Sequence, residues 1–196
     1  TTAVLLTLAG IDGQVCWYRL EQEDSRYAIF AAHLAHTLFQ RVPDKSRIQN
    51  FNMLTTMNDL SLFNAVLCQD AWEFLDNNIP TYLVLDNYHH ALRQPEIIEC
   101  VRYMLSNMPP GVRLIITSRQ QTGLEAGHAF AEDIITYGAA ELRFTPEETG
   151  IFCQEKFGIA ADKNACKRLH EVSEGWIAGI VMILSAFKAS GVSRLG

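Results

Sequence analysis

The chain has 196 residues, of which 48% are hydrophobic and 19% charged, so it carries a buried core and the composition excludes a disordered polymer. Its net charge of −6 argues against a free-standing DNA-binding domain, which shows a basic face. The excess is uneven: residues 1–144 hold 10 basic and 16 acidic side chains, whereas residues 145–196 hold 6 of each.

Thr1–Leu8 reads as a short helix ended by Gly10 and Gly13. It starts without an initiator Met and runs straight into helix-forming sequence, so the chain is expected to begin mid-element. Gln14–Leu20 is rich in β-branched and aromatic residues and predicts a strand. Asp24 or Ser25 is placed to cap the next helix, where Ile29, Phe30, His33, Leu34 and Leu38 recur at helical spacing. Arg41–Asn50 is polar, contains Pro43 and reads as a loop, and Leu60–Leu75 reads as another helix.

Tyr82-Leu83-Val84-Leu85 is a continuous apolar run, the pattern of a strand covered on both faces, and Asp86-Asn87 ends it. Pro95–Asn107 predicts a helix with proline in its first turn, and Pro109-Pro110 follows it. Leu114-Ile115-Ile116 is a second apolar strand, closed by Thr117-Ser118-Arg119. Strand, helix and strand in this order make a βαβ unit with parallel strands and a right-handed crossover. Leu124–Ile134 reads as a helix and Glu141–Phe144 as a last short strand.

At Thr145 the texture changes. Thr145-Pro146-Glu147-Glu148 is a capping box, and three helices are expected after it: Pro146–Phe157, Asp162–Ser173 and Trp176–Ala189, each stopped by a glycine. The expected organisation is therefore an α/β core over 1–144 and a small helical subdomain over 145–196.

The five cysteines are widely spaced and form no C-x-x-C pair, which fits a reducing compartment better than a zinc site or a disulfide framework. Cys16 and Cys100 lie in apolar stretches and read as small core residues. No apolar run reaches the roughly 18 residues of a membrane span, and no signal peptide is visible.

Ligands of open parallel sheets bind at the carboxyl ends of the strands. That rule alone selects Asp86 and the 117–119 segment. A carboxylate there suits Mg²⁺, a hard ion that takes oxygen ligands, while Asp86-Asn87 taken alone reads more simply as an ordinary Asp-Asn turn. Arg119 has the forked geometry that matches a phosphate, or is a solvated loop arginine. His89 and His90 have no partner at metal-ligand spacing, and His33 and His36 share a helical face without an acidic partner motif. The three tryptophans, Trp17, Trp72 and Trp176, read as packing residues. Lys45 is the only lysine in the first 155 residues. A phospho-acceptor domain built on Asp86 needs a lysine at a later strand end, so that reading is disfavoured, and no complete G-x-x-x-x-G-K-[ST] loop is present.

Five segments together resemble one family. Thr1-Thr2-Ala3-Val4-Leu5-Leu6 is similar to the tail of G-x-G-K-T-T-x-x-L. Thr81–His90, T-Y-L-V-L-D-N-Y-H-H, resembles a Walker B segment V-L-D-D-Y-H. Leu114–Arg119, L-I-I-T-S-R, is similar to a sensor segment. Leu142–Glu148, L-R-F-T-P-E-E, resembles an L-x-F-[ST]-x-E-E entry into a helical domain, and Glu174–Gly179 reads E-G-W-I-A-G against E-G-W-x-A-G. In this order they resemble the STAND-class P-loop ATPases of MalT-like and large LuxR-type regulators.

The resemblance implies a P-loop NTPase-like parallel sheet followed by a helical lid, a cytoplasmic switch operated by ATP/ADP and Mg²⁺. By that resemblance Thr1 and Thr2 are cofactor-binding and Thr1 and Asp86 hold the metal. Asn87 stands where the family has a second acid that positions water, and Arg119 reads the terminal phosphate. Slow hydrolysis is expected, because an amide cannot take a proton as a carboxylate does. The implied partners are the nucleotide, other domains of a longer chain and self-association, without direct nucleic-acid or membrane contact. The competing reading is a degenerate ATPase fold that serves as an interaction scaffold.

Overall fold

The structure, a computed structural model, describes residues 2–40, 64–66, 79–124 and 133–196. The expected loop over 41–50 and nearly all of the expected helices over 60–75 and 124–134 lie outside the described residues. The chain forms two compact units, Thr1–Ile134 and Ile135–Gly196.

The first unit is α/β. Helix α1 (Thr2–Leu8) leads to strand β1 (Gln14–Arg19), then helix α2 (Tyr27–Phe39), strand β2 (Thr81–Asp86), helix α3 (Pro95–Ser106) and strand β3 (Val112–Ile116). The three strands form one parallel sheet in the order β1-β2-β3. This is an architecture consistent with a P-loop-like fold. Gly13 lets the turn before β1 approach β2: a Cβ there would sit 2.7 Å from the Pro80 carbonyl oxygen, which accepts the Gln14 N–H at 2.9 Å.

The register explains the core. Cys16 pairs with Leu83 and Tyr18 with Leu85 on one side, while Leu114 and Ile116 pair with the same two leucines on the other. Because side chains alternate along a strand, these residues share one face. They pack with Phe30, Leu34 and Leu38 of α2 and with Ile97, Cys100, Val101 and Met104 of α3. The α3 set recurs at the i, i+3, i+4, i+7 spacing of one helical stripe. Val84 faces the other way and is also fully buried, as the uninterrupted apolar run predicts.

One helix start differs from expectation. Residues Gln22–Ser25 form a 3-10 turn, and α2 begins only at Tyr27, with Arg26 at its N-cap. Asp24 caps the short turn instead: its Oδ2 accepts the Glu21 N–H at 2.7 Å.

The second unit is mostly helical. Thr145 caps helix α4 (Pro146–Phe152), with Glu148 N–H on Thr145 Oγ1 at 3.1 Å and Thr145 N–H on Glu148 Oε2 at 2.8 Å. The Thr145 N–H, and after it the Thr145 hydroxyl, hold the Glu148 carboxyl below its usual range. The α-helix stops earlier than expected. Cys153–Phe157 widen into a π turn, which Gly158 ends at φ 66°. Asp162 caps helix α5 (Lys163–Ser173) through the Ala165 N–H at 2.8 Å, and α6 (Ile177–Ala189) follows.

Two departures stand out in this unit. Glu141–Phe144 is a turn rather than a strand, and its last residue makes a single backbone bond, Phe144 N–H to the Gly175 carbonyl at 2.8 Å. A two-residue parallel pairing, β4 (Ala160–Ala161) with β5 (Arg194–Leu195), ties the end of the unit to the α4–α5 connection. The core of the unit gathers Cys153, Ile159, Leu169, Ile180 and Leu184.

Candidate functional site

The site is built from the carboxyl ends of the central strand and one neighbour. β2 ends in Asp86, which is fully buried. Its carbonyl oxygen accepts the Leu20 N–H at 2.8 Å, which carries the β1–β2 pairing one residue beyond β1. The chain then reverses at Asn87, whose φ of 62° and ψ of 36° lie in the left-handed region, and a 3-10 turn, Tyr88–His90, follows. Asparagine tolerates this conformation better than most residues.

Thr117, the first residue after β3, clasps this turn. Its hydroxyl donates to Asp86 Oδ1 at 2.5 Å and accepts the Asn87 N–H at 3.1 Å. Its own N–H donates to the Leu85 carbonyl at 3.0 Å, and its carbonyl accepts the Tyr88 N–H at 2.9 Å. Four hydrogen bonds thus converge on one threonine, and the carboxylate it orients stands at the strand edge where ligands of such sheets bind.

Arg119 lies two residues further on and is exposed. Its field reaches His89, which is half-buried and stacked on His90 with ring centroids 4.3 Å apart. Burial lowers the basicity of His89, His90 and Arg119 lower it further, and Asp86 opposes them. Asp86, Asn87, His89 and Arg119 therefore occupy one electrostatic neighbourhood. Thr1 lies outside the described residues, and Thr2 opens α1. Among the described residues no group of three or more His, Cys, Asp or Glu is arranged to hold a metal. A single buried carboxylate suits Mg²⁺ all the same, since that ion keeps several waters and uses one or two carboxylates together with phosphate oxygens.

Beside the site, β1 leads into a second polar cluster. Asp24 is buried, and its Oδ1 meets His33 Nδ1 at 2.6 Å. Burial and the Asp24 carboxylate push the neighbouring Tyr18 phenol up. His33 thus has the acidic partner that its own helix does not supply. The pairing spans nine residues and no local motif announces it. Trp176 is also not simply a packing residue: it is 40% exposed and carries the Arg143 guanidinium over its ring at 5.5 Å.

No family model matches the chain. Three curated relatives are each named HTH-type transcriptional regulator MalT. Those of Vibrio campbellii and Vibrio parahaemolyticus are 26% identical over 170 residues, 86% of this chain and 18% of each relative. That of Serratia proteamaculans is 26% identical over 194 residues, 98% of this chain and 21% of the relative. These matches support a MalT-like regulator family. The chain spans about a fifth of the length of the relatives it matches. Among its described residues no helix is long and apolar enough to cross a membrane.

Proposed function

We propose that the chain is the nucleotide-operated switch module of a MalT-like transcription regulator, binding ATP or ADP with Mg²⁺ at the strand ends around Asp86. The observation that carries this reading is the clasp: a buried carboxylate at the end of the central parallel strand, fixed by Thr117 and followed by Arg119 on the same segment. A switch needs a site that distinguishes two phosphate states. The carboxylate supplies a metal ligand, and the guanidinium supplies a forked donor for phosphate oxygens.

Mg²⁺ when bound would neutralise phosphate charge and bridge it to the protein. The chain's own residues do the rest. Asp86 offers oxygen ligands whose rotamer Thr117 holds. Asn87 presents an amide rather than a carboxylate, so it orients water without accepting its proton, and hydrolysis is slow. Burial, His90 and Arg119 all disfavour the charged form of His89, so the permanent positive charge of this neighbourhood is the Arg119 guanidinium.

The test is titration of the intact protein with Mg-ATP and with Mg-ADP, for the wild type and Asp86→Ala. Loss of affinity in Asp86→Ala supports the reading, whereas equal affinity removes Asp86 from the metal role. Steady-state turnover well below the 1–10³ s⁻¹ of ordinary enzymes is expected, and Asn87→Asp should raise it. One observation favours a scaffold instead, namely the amide at Asn87. A wild-type protein that binds no nucleotide while retaining its partner contacts would establish that alternative.

A further inference from the structure

Thr117 has an unusual set of bonds for a residue at a strand end. The Asn87 N–H occupies one side of its hydroxyl oxygen at 3.1 Å, and the hydroxyl proton is directed to Asp86 Oδ1 at 2.5 Å. The hydroxyl therefore works in one direction only, accepting from the turn and donating to the carboxylate. Its backbone is equally committed, to Leu85 on one side and Tyr88 on the other. Threonine is also stiff at χ1, so its oxygen holds position once the backbone is fixed. β3 ends at Ile116, and Thr117 is followed directly by Ser118 and Arg119, so the clasp and the guanidinium lie two residues apart on one segment.

We propose that Thr117 is the positioning residue of the metal carboxylate. It fixes the Asp86 rotamer for Mg²⁺ and ties that carboxylate to the segment bearing Arg119, so that metal and terminal phosphate are read together. This rests on the nucleotide reading above. Partners that orient a metal's ligands affect metal affinity by roughly 10–100-fold, although they never touch the ion. A purely structural hydroxyl would affect stability and leave the metal dependence alone.

The experiment is a Mg²⁺ titration at fixed ATP on the intact protein, with nucleotide binding as the readout. It compares the wild type with Thr117→Val, which removes the hydroxyl at constant shape, and Thr117→Ser, which restores it. Thr117→Val should need about tenfold more Mg²⁺ for half-saturation and should recover wild-type ATP affinity at saturating Mg²⁺. Thr117→Ser should stay within about twofold of the wild type, by the same reasoning. If thermal melting shows that Thr117→Val does not fold, Thr117→Cys is titrated in its place, since its thiol is a weak donor. An unchanged Mg²⁺ midpoint in the hydroxyl-free variant overturns the positioning role while leaving the nucleotide reading intact. A loss of ATP affinity that excess Mg²⁺ does not recover also overturns it. A wild type with no Mg²⁺-dependent ATP binding overturns both.

Discussion

Asn87 and Glu174 adopt nearly the same backbone conformation, φ 62° and φ 52°, and are the two non-glycine residues with positive φ among the described residues. They are held there by different means. Asn87 sits at the end of a buried strand, and its N–H is bonded to a threonine 30 residues away. Glu174 ends α5, where a left-handed residue is an ordinary helix stop. Its neighbour Gly175 follows at φ 72° and donates its N–H to the His170 carbonyl at 3.1 Å. An uncommon conformation at a helix end reflects local chain reversal. At Asn87 the same conformation is held from across the sheet, by the Thr117 hydroxyl that also bonds the buried Asp86 carboxylate.

The largest expected effect breaks the local case. In Gly175→Ala the new Cβ would meet the Phe144 carbonyl oxygen at 2.6 Å and a positive φ besides. Backbone strain of this kind costs about 3 kcal/mol, so urea unfolding should show a lower midpoint for the helical unit. A loss below about 0.5 kcal/mol, well under the usual cost of such strain, would mean the corner is soft.

A smaller effect is expected at the entry to α4, which local sequence also controls. Thr145→Ala removes the cap and should lower stability by about 1 kcal/mol. The Glu148 carboxyl is depressed in the folded state, so its contribution is present above the ordinary carboxylate range and fades as pH falls through the folded value. Stability measured against pH should keep most of that acid step in Thr145→Ala, whose backbone N–H is retained, and lose it in Glu148→Gln; a step that persists in Glu148→Gln would assign it to another carboxylate.

The smallest effect sharpens the comparison. Glu174→Gly relieves a left-handed non-glycine residue and gives up an exposed ion pair with Arg143 at 3.7 Å, which is worth little. A gain of about 0.5 kcal/mol or less is expected in thermal melting. Asn87→Gly should be similarly mild for stability, because the N–H that Thr117 accepts is retained. A large loss at Asn87 alone would show that its side chain, not only its backbone, holds the turn after β2.

The parts legible in the sequence are those that local chemistry determines. The apolar run at 82–85 announced a strand buried on both faces, proline and the apolar stripe announced α3, and Thr145 and Glu148 announced the start of α4. Asp86 was legible as a strand-end carboxylate. The clasp was not, because Asp86 and Thr117 lie 31 residues apart and meet only when β2 and β3 pair. The Asp24–His33 contact is local, nine residues apart, but it bridges two consecutive helical elements whose relative placement no single period records, and the Asp24 carboxylate serves the short turn because the Glu21 N–H lies within its reach. Glu141–Phe144 misled through its polar-apolar alternation, E-L-R-F, since a strand needs a partner edge as well as a pattern. The widened turn at Cys153–Phe157 depends on how that helix end packs, which spacing alone does not record.

The central claim is that the Asp86 carboxylate exists to hold a metal beside a nucleotide. Asp86→Asn tests it most directly, because the amide keeps an oxygen for the Thr117 hydroxyl while it removes the charge and one acceptor oxygen. ATP affinity of the intact protein is measured with Mg²⁺ and with EDTA. The account predicts a Mg²⁺-dependent gain in affinity for the wild type that Asp86→Asn loses, with thermal stability retained. The same Mg²⁺-dependent gain in both proteins would contradict it.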